Sequence, residues 1–119
     1  MAGGLVTVPW YANVFRGDKL EIALAELVPV AARYGATAYG LWRGLDDRYA
    51  FQQWAAFPEK LMWERYWDGE EMVNFRIECS SWYQVPLVYH WHDVVVEGSL
   101  AAGGAGVVSG LAGAEGSDR

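Results

Sequence analysis

The sequence predicts one α+β domain, a four-stranded antiparallel sheet with helices on one face, in the order β-α-β-β-α-β. Three observations lead there. Segments rich in β-branched and aromatic residues alternate with two stretches of helical periodicity. The chain has 119 residues, 53% of them hydrophobic, which suits a single core and is too apolar for a disordered chain. Finally, both parities of the expected strands carry large apolar side chains, so both sheet faces are expected to be buried.

Residues 5–15 (LVTVPWYANVF) read as the first strand, with Pro9, which lacks an N–H, expected at an edge, a bulge or the strand's start. Asp18 then opens a helix as its N-cap, with Glu21 three residues on and Leu20, Leu24, Leu27, Ala31 and Tyr34 at helical spacing. Gly35 supplies a left-handed stop, and Pro29 should bend the helix. Residues 37–43 and 48–57 form a hairpin around the turn Gly44-Leu45-Asp46-Asp47. Pro58 precedes a second helix carrying Leu61, Met62, Arg65 and Tyr66, interrupted at Asp68-Gly69 and resumed over 70–82 with Met72, Phe75, Arg76 and Cys79. Residues 85–96 (VPLVYHWHDVVV) make the last strand. This order is the ferredoxin-like split unit, occupying residues 1–96. Residues 97–119, rich in Gly, Ala and Ser and free of aromatics, read as a flexible tail.

The formal net charge is -6 and no Lys/Arg cluster offsets it, which argues against a nucleic-acid partner. Cys79 is the only cysteine, so no intrachain disulfide forms and a reducing, cytoplasmic location is expected. No apolar run approaches the roughly 20 residues that cross a bilayer, and residues 1–8 lack the basic region of a secretory signal. No membrane association is expected.

The strands are apolar on both parities. Tyr39 and Leu41 oppose Ala38, Gly40 and Trp42; Tyr49, Phe51 and Gln53 oppose Ala50, Gln52 and Trp54. Two helices cover one face only. A second copy pressing its sheet on the other would bury it and enclose a cavity, so a homodimer is expected. Seven Trp and seven Tyr in so small a chain point the same way.

With the segment RYAFQQWAAFPEKLMWERYW and the ending SSWYQVPLVYHWHDVVV, this layout resembles the dimeric α/β-barrel superfamily, most closely its antibiotic-biosynthesis-monooxygenase branch, over about residues 5–96. The superfamily includes cofactor-independent quinol-type monooxygenases, haem-degrading enzymes, and small-molecule isomerases and lyases. The resemblance implies an Asn on the first strand, a Trp near the second helix and a His on or near that helix at the reactive site. Asn13 matches the first, and Trp54, Trp63 or Trp67 the second. The histidine does not transfer, since neither is on the second helix, and this argues against haem chemistry.

His90 and His92, the only histidines, stand at i, i+2 on one strand and so on one face. They are expected in the cavity as acid/base groups, imidazole being the side chain that changes charge near neutrality. Their alternative role is hydrogen bonding on a subunit-contact strand. Asp93 has the opposite parity and Cys79 lies on a helix, so no third metal ligand is evident and no metal is expected. Asn13 joins the histidines as a catalytic candidate, or is a hydrogen-bonded amide at a strand end. Tyr11, Tyr39, Trp42 and Trp54 are expected to line the cavity and stack on a flat aromatic substrate. Arg43 and Arg48 read as surface ion pairs with Asp46 and Asp47, and Arg65, Glu64, Arg76 and Glu78 as helix-surface charges. Cys79 reads as a small buried residue. No P-loop, GxGxxG or GxSxG motif is present.

Two functions fit these expectations. One is a cofactor-independent monooxygenase-like catalyst acting on a phenolic or polycyclic aromatic substrate. The other is a ligand-binding or assembly subunit whose cavity is filled.

Overall fold

Alternation along the strands decides how the sheet is placed. In the computed structural model, which describes residues 3–98, β1 (Gly4–Tyr11) buries Val6, Val8 and Trp10 on one side and leaves Leu5, Thr7, Pro9 and Tyr11 on the other. α1 (Gly17–Leu27) follows, then a 3-10 segment (Val28–Tyr34), β2 (Ala38–Arg43), β3 (Ala50–Phe57), α2 (Lys60–Trp67), α3 (Glu70–Glu78), a 3-10 turn (Ser80–Trp82) and β4 (His90–His92). All strand pairs are antiparallel and the order is β2-β3-β1-β4. This is the ferredoxin-like arrangement.

The helices cover one face. Leu20, Leu24 and Leu27 of α1, Trp63 and Tyr66 of α2, and Met72 and Phe75 of α3 meet Val6, Val8, Trp10, Phe51, Ala55 and Phe57 of the sheet. One polar side chain is buried among them. Gln53 Oε1 accepts from Trp10 Nε1 at 2.9 Å, Gln53 Nε2 donates to the Tyr66 hydroxyl at 3.1 Å, and that hydroxyl donates to the Leu27 carbonyl at 2.9 Å. A buried polar group is tolerated when it is paired. Gln53→Leu strands the Trp10 indole N–H and should cost about 1–3 kcal/mol, read as a lower denaturation midpoint at unchanged slope.

Several boundaries differ from the sequence expectation. β1 ends at Tyr11; Ala12 makes an isolated bridge to Tyr83, and a turn closed by Arg16 N–H to Asn13 O at 2.9 Å puts Phe15 at φ 66. Asp18 does not cap α1, which starts at Gly17; its carboxylate is taken instead by Arg43. Pro29 does not bend a continuous helix. The α-helix ends at Leu27 and the chain tightens into 3-10 turns with the proline in the first of them, where its missing N–H costs nothing. Gly35 stops that segment at φ 108.

The last strand is far shorter than residues 85–96. Only His90–His92 joins the ladder, against Leu5–Thr7, while Val95 is 93% exposed. Pro86 lacks an N–H, and Pro9 of β1 lies beyond the stretch that β4 pairs with; both fall where the β1–β4 ladder is open. The expected tail lies, from residue 99 onward, outside the described residues.

Candidate functional site

The face of the sheet opposite the helices carries most of the expected site residues. Strand register arranges them in rows. Ala38, Ala56, Leu5 and His92 form one row; Gly40, Trp54, Thr7 and His90 the next; Trp42, Gln52 and Pro9 the third; and Ala50 with Tyr11 the last. Gly40 and Thr7 stand opposite Trp54 on the two neighbouring strands, and among the described residues no helix covers the face.

Gly40 explains the placement of Trp54. A Cβ at Gly40 would overlap Trp54 Nε1, so the absent side chain lets the indole lie over the backbone of β2. Trp42 tilts against it, with ring centroids 6.0 Å apart. Trp54 Nε1 is buried there without a hydrogen-bond acceptor. Gly40→Ala should push the indole off its seat at a cost of about 1–3 kcal/mol, the usual range for overpacking, with a changed tryptophan emission spectrum as the readout.

Beside this pair lies a depression of about 370 Å³ whose lining includes Pro9, Tyr11, Trp42 and Gln52. Tyr11 donates to Asp47 Oδ2 at 2.7 Å, and the hydrogen bond to that carboxylate holds its phenol above the ordinary pKa. Tyr11 is therefore a protonated group, suited to contact and not to proton abstraction. His90 and His92 stand on the exposed β4 edge, with ring centroids 6.3 Å apart, and do not line the depression. His92 Nε2 is 2.9 Å from Thr7 Oγ1.

The structure brings together Tyr11, Trp42, Trp54, His90 and His92 on this face. It does not bring Tyr39 or Asn13 to them. Tyr39 has the parity of Leu41, so it points to the helix side, where it lines a second pocket of about 490 Å³ with Val28, Pro29 and Phe51. Asn13 follows β1, and its Nδ2 donates to the carbonyls of Ser81 (2.8 Å) and Tyr83 (3.3 Å). That is a staple between the β1–α1 loop and the turn after α3. Of the three tryptophans that the resemblance offers, Trp54 alone lies on the open face; Trp63 is fully buried, and Trp67 packs under the Arg76 guanidinium at 4.3 Å.

Three charge assignments change. Arg43 does not pair with the turn aspartates. It faces the helices, reaches Asp18 at 2.9 Å and Glu21 at 2.6 Å, and lies over the Phe51 ring at 4.9 Å. Arg48 gives its Nη1 to the Gly44 carbonyl at 3.2 Å, and Asp47 is taken by Tyr11 and the Tyr49 N–H. Arg76 is no solvated helix charge: burial lowers its pKa, and Nη1 is buried without a hydrogen-bond partner. Cys79 is half-buried, and burial pushes its thiol up, away from nucleophilic behaviour. Among the described residues no group of three or more His, Cys, Asp or Glu is placed to hold a metal ion, and no helix is long and apolar enough to cross a membrane.

Sequence patterns alone do not reveal Gly40, Thr7 or Gln53, because their roles depend on register across strands. Shared parity with Phe51 is the sequence signal that Gln53 faces inward.

Sheet order, antiparallel pairing and one-sided helices make this a ferredoxin-like α+β protein. No family profile and no curated protein matches the chain. Solved structures do. It is similar to a Pseudomonas aeruginosa protein (16% identity, TM-score 0.72, 81% of this chain and 97% of that one). It is also similar to a protein described as an antibiotic biosynthesis monooxygenase (15%, TM-score 0.69, 77% and 98%). A third is a Nitrosomonas europaea protein of unknown function (18%, TM-score 0.70, 87% and 98%). At these identities the likeness establishes the shared fold.

Proposed function

We propose that the chain is a small-molecule catalyst, a cofactor-independent monooxygenase-like enzyme acting in the cytoplasm on a phenolic or polycyclic aromatic substrate. Residues 1–96 form the catalytic domain, with 97–119 appended to it, and two copies enclose the substrate between their open sheet faces. The observation that carries this reading is the gathering of Trp42, Trp54 and Tyr11 with two histidines on a face that no helix covers. The fold shared with an antibiotic biosynthesis monooxygenase supports the reaction class.

The chemistry suits those groups. An imidazole takes the phenolic proton, leaving an electron-rich ring that reacts with dioxygen; one oxygen atom enters the ring and the other leaves as water. The substrate supplies all the electrons as it becomes a quinone, so no external reductant enters the balance. Tryptophan faces hold the flat ring and exclude water from it. The test is oxygen uptake by the purified full chain with an anthrone-type phenol. Uptake matched by quinone formation is expected. No turnover and no binding across a phenol panel would instead support an assembly subunit.

A further inference from the structure

His90 and His92 share more than a face. Both side chains are exposed on β4, and their ring centroids are 6.3 Å apart. An ion held at about 2.0–2.1 Å from one nitrogen of each ring brings two imidazole centroids to within about 5–6 Å of each other. Side-chain rotation of exposed histidines closes the remaining gap. Thr7 adds an independent element. Its Oγ1 lies 2.9 Å from His92 Nε2, and a Nε2–H donated to that oxygen leaves the Nδ1 lone pair as the ligand. Metal-binding histidines are held this way, with the second ring nitrogen bonded to an oxygen that fixes tautomer and orientation.

We propose that His90 and His92 form a two-histidine chelate for a late first-row divalent cation, zinc or copper(II), with Thr7 orienting the His92 ring. Imidazole suits the late first-row ions, and among the divalent ones affinity at a given site peaks at copper(II). Calcium and magnesium need several oxygen ligands, and no third His, Cys, Asp or Glu joins the pair among the described residues. Water fills the remaining coordination positions, or a second copy's histidine pair does where two open faces meet. The proposal goes beyond the catalytic reading and does not depend on it, because binding is read without turnover. If both hold, a bound ion occupies the lone pairs that proton abstraction uses, and zinc inhibits the reaction.

The test is isothermal titration of the metal-free full chain with zinc chloride and with copper(II) chloride in a non-chelating buffer. Saturable uptake is expected, at one ion per chain or one per two chains if two pairs share it. His90→Ala and His92→Ala should each weaken binding at least about 10-fold and Thr7→Val about 10-fold, in line with the usual loss when an orienting contact is removed. Cys79→Ser should leave binding unchanged. Copper(II) electron paramagnetic resonance on the unaltered chain, free of any folding concern, should show coupling to imidazole nitrogens. Absence of saturable uptake, retention of affinity in both histidine variants, loss in Cys79→Ser, or a spectrum without nitrogen coupling would each overturn the proposal.

Discussion

Alanine at His90 or His92 should lower kcat for a phenolic substrate by about 10²–10⁴-fold, the usual contribution of a positioned proton acceptor. Both side chains are exposed on a three-residue edge strand, so truncation removes little packing and the fold should persist. KM should change far less than kcat, because the aromatic contacts at Trp42, Trp54 and Tyr11 remain. The two variants need not be equal. Thr7 holds the His92 ring, whereas His90 lies in the row that contains Trp54. The larger loss is expected at His90, whose row contains Trp54. Steady-state kinetics on both variants checks this, and unchanged kcat in each would remove the histidines from the proposed chemistry.

Trp63→Ala should cost about 3–5 kcal/mol, the range for emptying a buried aromatic site. That is a large share of the 5–15 kcal/mol that holds a typical domain together. Trp63 is fully buried, with ring centroids 6.0 Å from Phe57, 5.4 Å from Tyr66, 5.3 Å from Trp67 and 5.2 Å from Tyr89. The Tyr89 contact ties the core to the candidate site, because Tyr89 immediately precedes β4. Losing the indole should therefore loosen the histidine strand as well as the helix layer. Trp63 Nε1 is buried without an acceptor, so Trp63→Phe discards an unpaired donor and should cost much less than Trp63→Ala. Urea denaturation measures both. A loss under about 1 kcal/mol for Trp63→Ala, below the usual cost of such truncations, would show that the cluster does not support the core as described.

The fold was largely legible because its signals are local. Alternation marked the strands, Gly35 and the Asp68-Gly69 break marked helix ends, and the element order set the topology. Apolar groups on both strand parities correctly singled out a sheet face that the helices leave open. Boundaries were misjudged where a distant partner decided them. Asp18 of α1 is drawn to Arg43 at the end of β2, 25 residues on, and no spacing rule anticipates that pairing. Residues 85–96 are rich in β-branched and aromatic side chains, yet only His90–His92 pair, with Leu5–Thr7 of β1, and Pro86 has no N–H to give a ladder.

The site was half legible. Strand parity correctly placed His90 and His92 together and Trp42 on the side of Gly40. Alternation puts Tyr39 and Trp42 on opposite faces of β2, so the two cannot line one cavity. Asn13 lies outside the site because β1 ends at Tyr11, not at Phe15; beyond Tyr11 the chain turns, and the Asn13 amide serves the backbone. Gly40 and Thr7 were invisible because their importance lies in what faces them across the sheet.

The account rests on a second copy covering the open face, and the mass of the native full chain tests this most directly. Sedimentation equilibrium at micromolar concentration should give twice the 13.2 kDa chain mass. Trp42→Glu, which places a charge where 65% of the tryptophan surface is exposed, should give the single-chain mass with unchanged circular dichroism. A monomeric unaltered chain, or a dimer that persists undiminished in Trp42→Glu, would contradict the account.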